Sequence, residues 1–191
     1  DLKPHYKIDR RFMHILVQAQ LAISWFRLLY LDESCQNWVV YLLAIMSRSG
    51  QNELATFCRR FEETAKITAY LLDQKKFAEN AANQLAREAH HKNSRIVALL
   101  EEVKIEGLLY IMAIARKNNV KKAISSYVTT LRQIEPATTG DDLIRMGYQP
   151  GPQFKKILAF LKNARLDNLV TDKEEELALL ISTMFFASGI T

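Results

Sequence analysis

The chain has 191 residues, 49% hydrophobic and 25% charged, a balance that supports a buried core and excludes wholesale disorder. Formal net charge is +5, a moderate positive excess that suits a polyanionic partner without requiring one. The longest apolar runs, Ile15 to Phe26 and Trp38 to Met46, fall short of the roughly 18 to 20 residues a membrane span needs, so no membrane partner is expected.

The pattern is helical nearly throughout, and the expected fold class is all-α: a multi-helix, bundle-like body followed by a smaller C-terminal helical unit. Asp9 to Leu31 carries apolar residues on almost every face, including Phe12, Leu16, Ile23, Trp25, Phe26 and Leu29, which predicts a helix at the centre of a bundle. Further helices are predicted over Glu33–Ser47, Glu53–Phe61, Glu62–Ala89 and Arg95–Lys104, the last with Ser94 as its N-cap. Glu106–Lys117 and Val120–Gln133 read as an antiparallel pair joined by Asn118 and Asn119. Strand signals are weak: no Asn-Gly or Asp-Gly hairpin occurs, and no alternating Val/Ile/Thr run bounded by turns. The stretch Glu135-Pro-Ala-Thr-Thr-Gly140 is the clearest break, so the expected division is residues 1–136 and 137–191. The chain starts at Asp1 without a methionine, as a piece of something longer would.

Catalytic chemistry is hard to find. His5, His14, His90 and His91 do not pair with a nucleophile and an orienting group; His14 reads as a core or boundary histidine and His90-His91 as a cationic cap at a helix end. Asp141-Asp142 raises the question of magnesium. Neighbouring helix residues do not converge, however, and acids in a first turn favourably oppose the helix dipole, with Thr139 and Asp142 forming a capping box. Thr171 and Glu174 form a second such box. Cys35 and Cys58 lack metal-ligand and disulfide-scaffold spacing and read as two buried thiols in a reducing cytoplasm. No P-loop, dinucleotide fingerprint or zinc spacing occurs, so the expectation is no catalytic residue, no metal ligand and no cofactor in this chain.

The most informative stretch is Gly140 to Leu158, GDDLIRMGYQPGPQFKKIL. It predicts a short helix closed by Gly147 in the left-handed conformation, then a corner at Pro150-Gly151-Pro152, then a helix from Pro152 to about Leu166. On that helix Phe154, Ile157, Leu158, Leu161 and Ala164 share an apolar face. Lys155 and Lys162 share one flank, Lys156 lies on the far side, and Arg165 falls near the apolar sector. No acidic residue occurs between Asp142 and Asp167. Gly151 at the start of the helix lets a ligand approach the backbone, and lysines one turn further in add phosphate neutralisation. From spacing alone the stretch reads either as a plain packed corner with a solvated basic face or as a phosphate site whose candidate residues are Arg145, Gly151, Lys155, Lys156, Lys162 and Arg165.

The segment from Thr138 to Leu180 resembles the C-terminal region of bacterial class II tRNA nucleotidyltransferases, the family of CCA-adding enzymes, A-adding enzymes and related poly(A) polymerases. The resemblance rests on Gly140, Asp142-Leu143, Gly147, Pro150-Gly-Pro152, Ile157-Leu158, Ala164-Arg-Leu-Asp167, Thr171 and Glu174-Glu175. Ile23 to Ile45 resembles the helical body of the same family less specifically. Many members have glycine where this chain has Lys155 and Asn168; the first change shifts weight from backbone contact to side-chain charge.

In that family a mixed-sheet head carries the metal-binding aspartates, and a neck carries the arginine and aspartate that select the incoming nucleotide. This chain shows neither the Gly-Ser then Asp-x-Asp pattern nor an Asp-Pro-x-Arg motif. The resemblance thus implies a cytoplasmic body-and-tail piece that holds tRNA or other RNA for a catalytic head and neck elsewhere in the parent, where Mg and ATP or CTP would bind. The competing expectation is a helical protein-interaction or dimerisation module, a homodimer included. A free-standing helical enzyme is a third.

Overall fold

The computed structural model describes residues 9–88 and 90–187; His5 and Ala89 lie outside the described residues. Among the described residues the chain forms ten α-helices, two short 3-10 segments and no strand, so the fold is all-α. In chain order these are α1 (Arg10–Arg27), α2 (Asn37–Ile45) running into a 3-10 turn (Met46–Arg48), α3 (Gln51–Arg60), α4 (Ala65–Arg87) and α5 (Asn93–Leu100). There follow α6 (Ile105–Ile114), α7 (Asn118–Thr129), a 3-10 turn (Leu131–Gln133), α8 (Gly140–Arg145), α9 (Pro152–Leu166) and α10 (Lys173–Ala187). The chain divides into two compact units, one of residues up to His90 with Leu99–Thr129, the other of His91–Ala98 with Thr130 onwards, the division falling within the last turn of α5.

In the first unit the central element is α6, not α1. Ile105, Glu106, Gly107, Leu108, Leu109, Tyr110, Ile111 and Ala113 are all buried, and α1, α2, α4 and α7 pack round it. A helix apolar on every face has no solvent side, and IEGLLYIMAI is such a sequence. Helix α1 buries Ile15, Ala19, Ala22, Ile23 and Phe26 but leaves Met13, Val17, Leu21 and Leu28 about half or more exposed. At 100° per residue these four fall within one sector about 80° wide, so the apolar girdle of α1 has one covered and one open side. His14 is exposed as well, which corrects its reading as a core or boundary residue. Cys58 is buried, whereas Cys35 is only half-buried.

Several polar groups inside this unit explain where elements start and stop. Glu106, buried in the first turn of α6, accepts hydrogen bonds from the Gln36 amide (2.8 Å) and the Tyr70 hydroxyl (2.7 Å). The first of these holds Gln36 extended ahead of α2, so the helix begins at Asn37 rather than near Glu33. Burial and the Glu106 carboxylate push the Tyr70 hydroxyl well above the ordinary phenol range. Lys75, almost fully buried, pairs with Glu79, which also accepts from the Tyr110 hydroxyl at 2.8 Å. Gln74 accepts from the Lys104 amide (2.8 Å), closing the turn before α6.

At the end of α4, where the sequence suggests a cationic cap from His90-His91, Lys117 donates to the Ala86 carbonyl (2.6 Å). The Asn119 amide donates to Leu85 (3.2 Å) and Glu88 (2.6 Å). Asn119 thus belongs to the first turn of α7 and is not a linker; the α6–α7 connection is Ala115 to Lys117. In the second unit, Ser94 is not an N-cap either. It lies inside the first turn of α5, and its amide and hydroxyl donate to Asp167 at 2.9 and 2.7 Å. The carboxylate sits against the positive end of the α5 dipole. The cap of α10 is displaced by one residue from expectation: Asp172 accepts from the Glu175 amide (2.9 Å), and Glu175 reaches back to the Thr171 amide (2.6 Å).

Candidate nucleic-acid interface

The glycine–proline corner lies in the second unit, on a core of Leu143, Leu161 and Leu180 with Tyr148, Phe154, Ile157 and Leu158 packed against it. Helix α8 starts with the capping box expected from Thr139 and Asp142. The Asp142 carboxylate accepts from the Thr139 amide (2.8 Å) and hydroxyl (2.7 Å), while the Asp142 amide donates to Thr139 Oγ1 at 3.4 Å. Lys173, from the start of α10, lies 2.8 Å from the same carboxylate, and Arg145 reaches it at 3.5 Å. Lys173 and then the Thr139 donors hold the Asp142 carboxyl well below the ordinary carboxylate range. Its oxygens are thus committed to protein donors, which leaves little for a metal to bind. Among the described residues no group of three or more His, Cys, Asp or Glu gathers to hold a metal ion.

Helix α8 ends at Gly147, whose φ of +89° is left-handed, with the Tyr148 amide returning to the Leu143 carbonyl at 3.0 Å. This double-back closes the helix and swings the chain toward Pro150. Pro152 occupies the first position of α9, and Gly151 caps it in an extended conformation open to ordinary residues. A Cβ placed on Gly151 would meet nothing nearer than the Gln149 carbonyl at 4.0 Å. Nothing inside the fold therefore demands glycine at this exposed position.

The six sequence candidates fall into two groups. Arg145 has a 78% exposed side chain with a loose contact to Asp142, while Lys155 and Lys156 are exposed on the first turns of α9 and form no ion pair with a described residue. Lys156 borders a shallow cavity of about 400 Å³, beside Tyr148, Phe160 and Leu180. An exposed aromatic next to a cation is a surface on which a base or ribose can rest. Lys162 and Arg165 are occupied differently. Lys162 lies 2.6 Å from Glu135, and Arg165 lies 2.8 Å from Glu176, a carboxylate with no exposure to solvent.

Glu176 also accepts the Ala137 amide at 3.0 Å and the Thr138 amide at 2.7 Å, tying the break before α8 to α9 and α10. Burial pushes its carboxyl up, but the Ala137 amide, Arg165 and the Thr138 amide outweigh it and leave the pKa below its ordinary value. In sequence Glu176 belongs to the acidic run Glu174-Glu175-Glu176, which reads as a solvated face or a helix start, so this role is hidden there. Its backbone partners stand 38 and 39 residues upstream, beyond any local pattern.

No family model matches the chain. Among curated proteins, it is 32% identical over 184 residues to an A-adding tRNA nucleotidyltransferase of Geobacter sulfurreducens (strain ATCC 51573 / DSM 12127 / PCA), a match covering 94% of this chain and 21% of that protein. Among solved structures, it superposes on a Thermotoga maritima CCA-adding enzyme complexed with tRNA at a TM-score of 0.75 and 16% identity, over 92% of this chain and 42% of that one. A CCA-adding enzyme solved with CTP gives a TM-score of 0.66 at 17% identity, over 93% and 41% of the two chains. The resemblance carried by the glycine–proline corner is borne out, and it extends over nearly the whole chain. The chain spans about a fifth of the length of the curated relative it matches.

Proposed function

We propose that the chain is the RNA-binding body and tail of a tRNA nucleotidyltransferase or related poly(A) polymerase, with residues 1–136 as body and 137–191 as tail. It would hold tRNA or another RNA so that the 3′ end reaches a catalytic head and neck, the parts that would bind Mg and ATP or CTP. The observation that carries this reading is the 32% identity to an A-adding tRNA nucleotidyltransferase over almost the full chain. Arg145, Lys155 and Lys156 are the cations available for phosphate, with Gly151 offering an unobstructed backbone. Lys162 and Arg165 contribute to RNA only to the extent that they leave Glu135 and Glu176. Contacts of this kind read the shape and phosphates of an A-form helix more than its sequence.

The test is a filter-binding titration of several tRNAs against Lys155→Glu with Lys156→Glu across a salt series. Affinity should fall to a similar degree for each tRNA, and the dependence of log K on log salt should become shallower by about 1 per lysine. Unchanged affinity and slope would remove these lysines from the interface.

A second reading is favoured by one observation, the exposed stripe of Met13, Val17, Leu21 and Leu28 on α1. An apolar row of this kind suits contact with another protein surface, whether the rest of a parent chain or a second copy. Light scattering that shows a dimer, together with no retention of tRNA at low salt, would put this reading first.

A further inference from the structure

The first unit holds a second concentration of positive charge, built from residues far apart in sequence. A cavity of about 670 Å³ is lined by Arg11 and His14 of α1, Arg48 at the end of the 3-10 turn, Arg116 of the α6–α7 connection, and Lys121 of α7. No acidic residue is among its described lining. Asp9 lies beside it, but its two oxygens fork onto Arg48 at 2.8 Å each and also take the Phe12 amide at 2.7 Å. The Arg48 hydrogen bond and then the Phe12 amide hold its pKa at about 2. One carboxylate therefore stands against the four cations Arg11, Arg48, Arg116 and Lys121.

The ammonium of Lys121 rests on Gln18 Oε1 at 2.8 Å, a neutral acceptor that leaves its charge uncompensated. Arg11 and Arg116 are exposed and form no ion pair with a described residue. Like charges converging on a concavity repel one another, and here little within the unit offsets that repulsion. The wall includes Ile15, and a partly apolar concave wall concentrates the field. The volume lies within the roughly 300–1,000 Å³ typical of small-ligand sites, and planar guanidinium forks match the oxygens of a phosphate.

The geometry points to a phosphate-binding pocket in the first unit, occupied by phosphates of an RNA backbone. The choice of RNA as the source rests on the function proposed above; the phosphate chemistry rests on the cavity alone. Arg11 and Arg116 reach the ligand directly, while Asp9 orients Arg48.

The experiment compares the intact 191-residue chain with Arg11→Ala/Arg116→Ala and with a control pair outside the cavity, Lys76→Ala/Lys122→Ala, which removes the same charge. Two probes are used: inorganic pyrophosphate by titration calorimetry, and a tRNA transcript by anisotropy over a salt series. Circular dichroism confirms that each variant is folded. The pocket pair should lose about tenfold in affinity for both probes, with a tRNA salt slope shallower by about 0.9 for each phosphate no longer neutralised, and the control pair should lose much less. Loss of pyrophosphate binding alone would assign the pocket to a free nucleotide phosphate and reject RNA as its occupant. If the wild-type chain binds pyrophosphate but no tRNA, the function above fails while the pocket stands. Equal effects of the two pairs, or no effect of the pocket pair on either probe, would overturn the pocket.

Discussion

Replacing Glu176 by alanine tests the claim that this residue is a structural clip and that Arg165 serves it. The side chain is fully buried and holds the Ala137 amide, the Thr138 amide and Arg165. Removing it leaves the amide of the buried Thr138 without its acceptor, at about 1–3 kcal/mol, while the amide of the exposed Ala137 can turn to water and adds less. Arg165 is partly exposed and turns to water, so it adds less. The sum is about 2–4 kcal/mol. For a unit of this size, with roughly 4–8 °C of Tm per kcal/mol, the second unit should melt about 10 °C or more below the parent.

Glu176→Gln keeps one acceptor oxygen but turns an NH₂ toward a donor, and should cost about 2–3 kcal/mol. Because the folded carboxyl pKa is lowered, the stability it confers is complete above the unfolded carboxyl value of about 4.3. It disappears as pH falls through the lowered folded value, and Glu176→Gln should abolish that part of the acid loss. Both tryptophans, Trp25 and Trp38, lie in the first unit, so their fluorescence does not report this change. Far-UV circular dichroism with hydrogen exchange over peptides from 137 to 166 does. A Glu176→Ala protein within about 1 kcal/mol of the parent, with unchanged exchange at Thr138, would refute the clip.

Two further outcomes follow from the first unit. Gly107→Ala should destabilise by about 1–2 kcal/mol in urea unfolding despite alanine's better helix propensity, because its Cβ would come 2.7 Å from Val103 and 2.9 Å from Gln74 Oε1, which is held by the Lys104 amide. Cys35, whose thiol burial and then the Glu106 charge push up to about 11, should react with a thiol reagent at pH 8 far more slowly than an unperturbed cysteine, reflecting about a hundredfold less thiolate than at its ordinary 9.0.

Much is legible along the chain because it depends on neighbours within one helical turn. The helical period, the Thr139–Asp142 box, the left-handed stop at Gly147 and Pro152 at the head of α9 are all local devices, and each stands in the structure where the residues place it. Asn168 takes the left-handed conformation that asparagine tolerates. Where a choice depends on distant partners, the pattern misleads. Helix α1 is apolar enough for a bundle centre, yet α6 takes that place because its covering helices come from both before and after it in sequence. Ser94 has the chemistry of a cap, but Asp167, 73 residues away, claims it as a donor.

The candidate cations show the same division. A run of lysines and arginines without acids between Asp142 and Asp167 is visible in one dimension, and it names Arg145, Lys155, Lys156, Lys162 and Arg165 alike. Which of them remain free is set by Glu135 and Glu176, acids outside the run that folding brings to Lys162 and Arg165. The cluster of Arg11, Arg48, Arg116 and Lys121 has no one-dimensional signature at all, since four separate segments supply it. Periodicity and capping act over one turn and can be written into a short stretch of residues. Charge pairing acts through space, so only the packed helices reveal which charges are satisfied and which are left for a ligand.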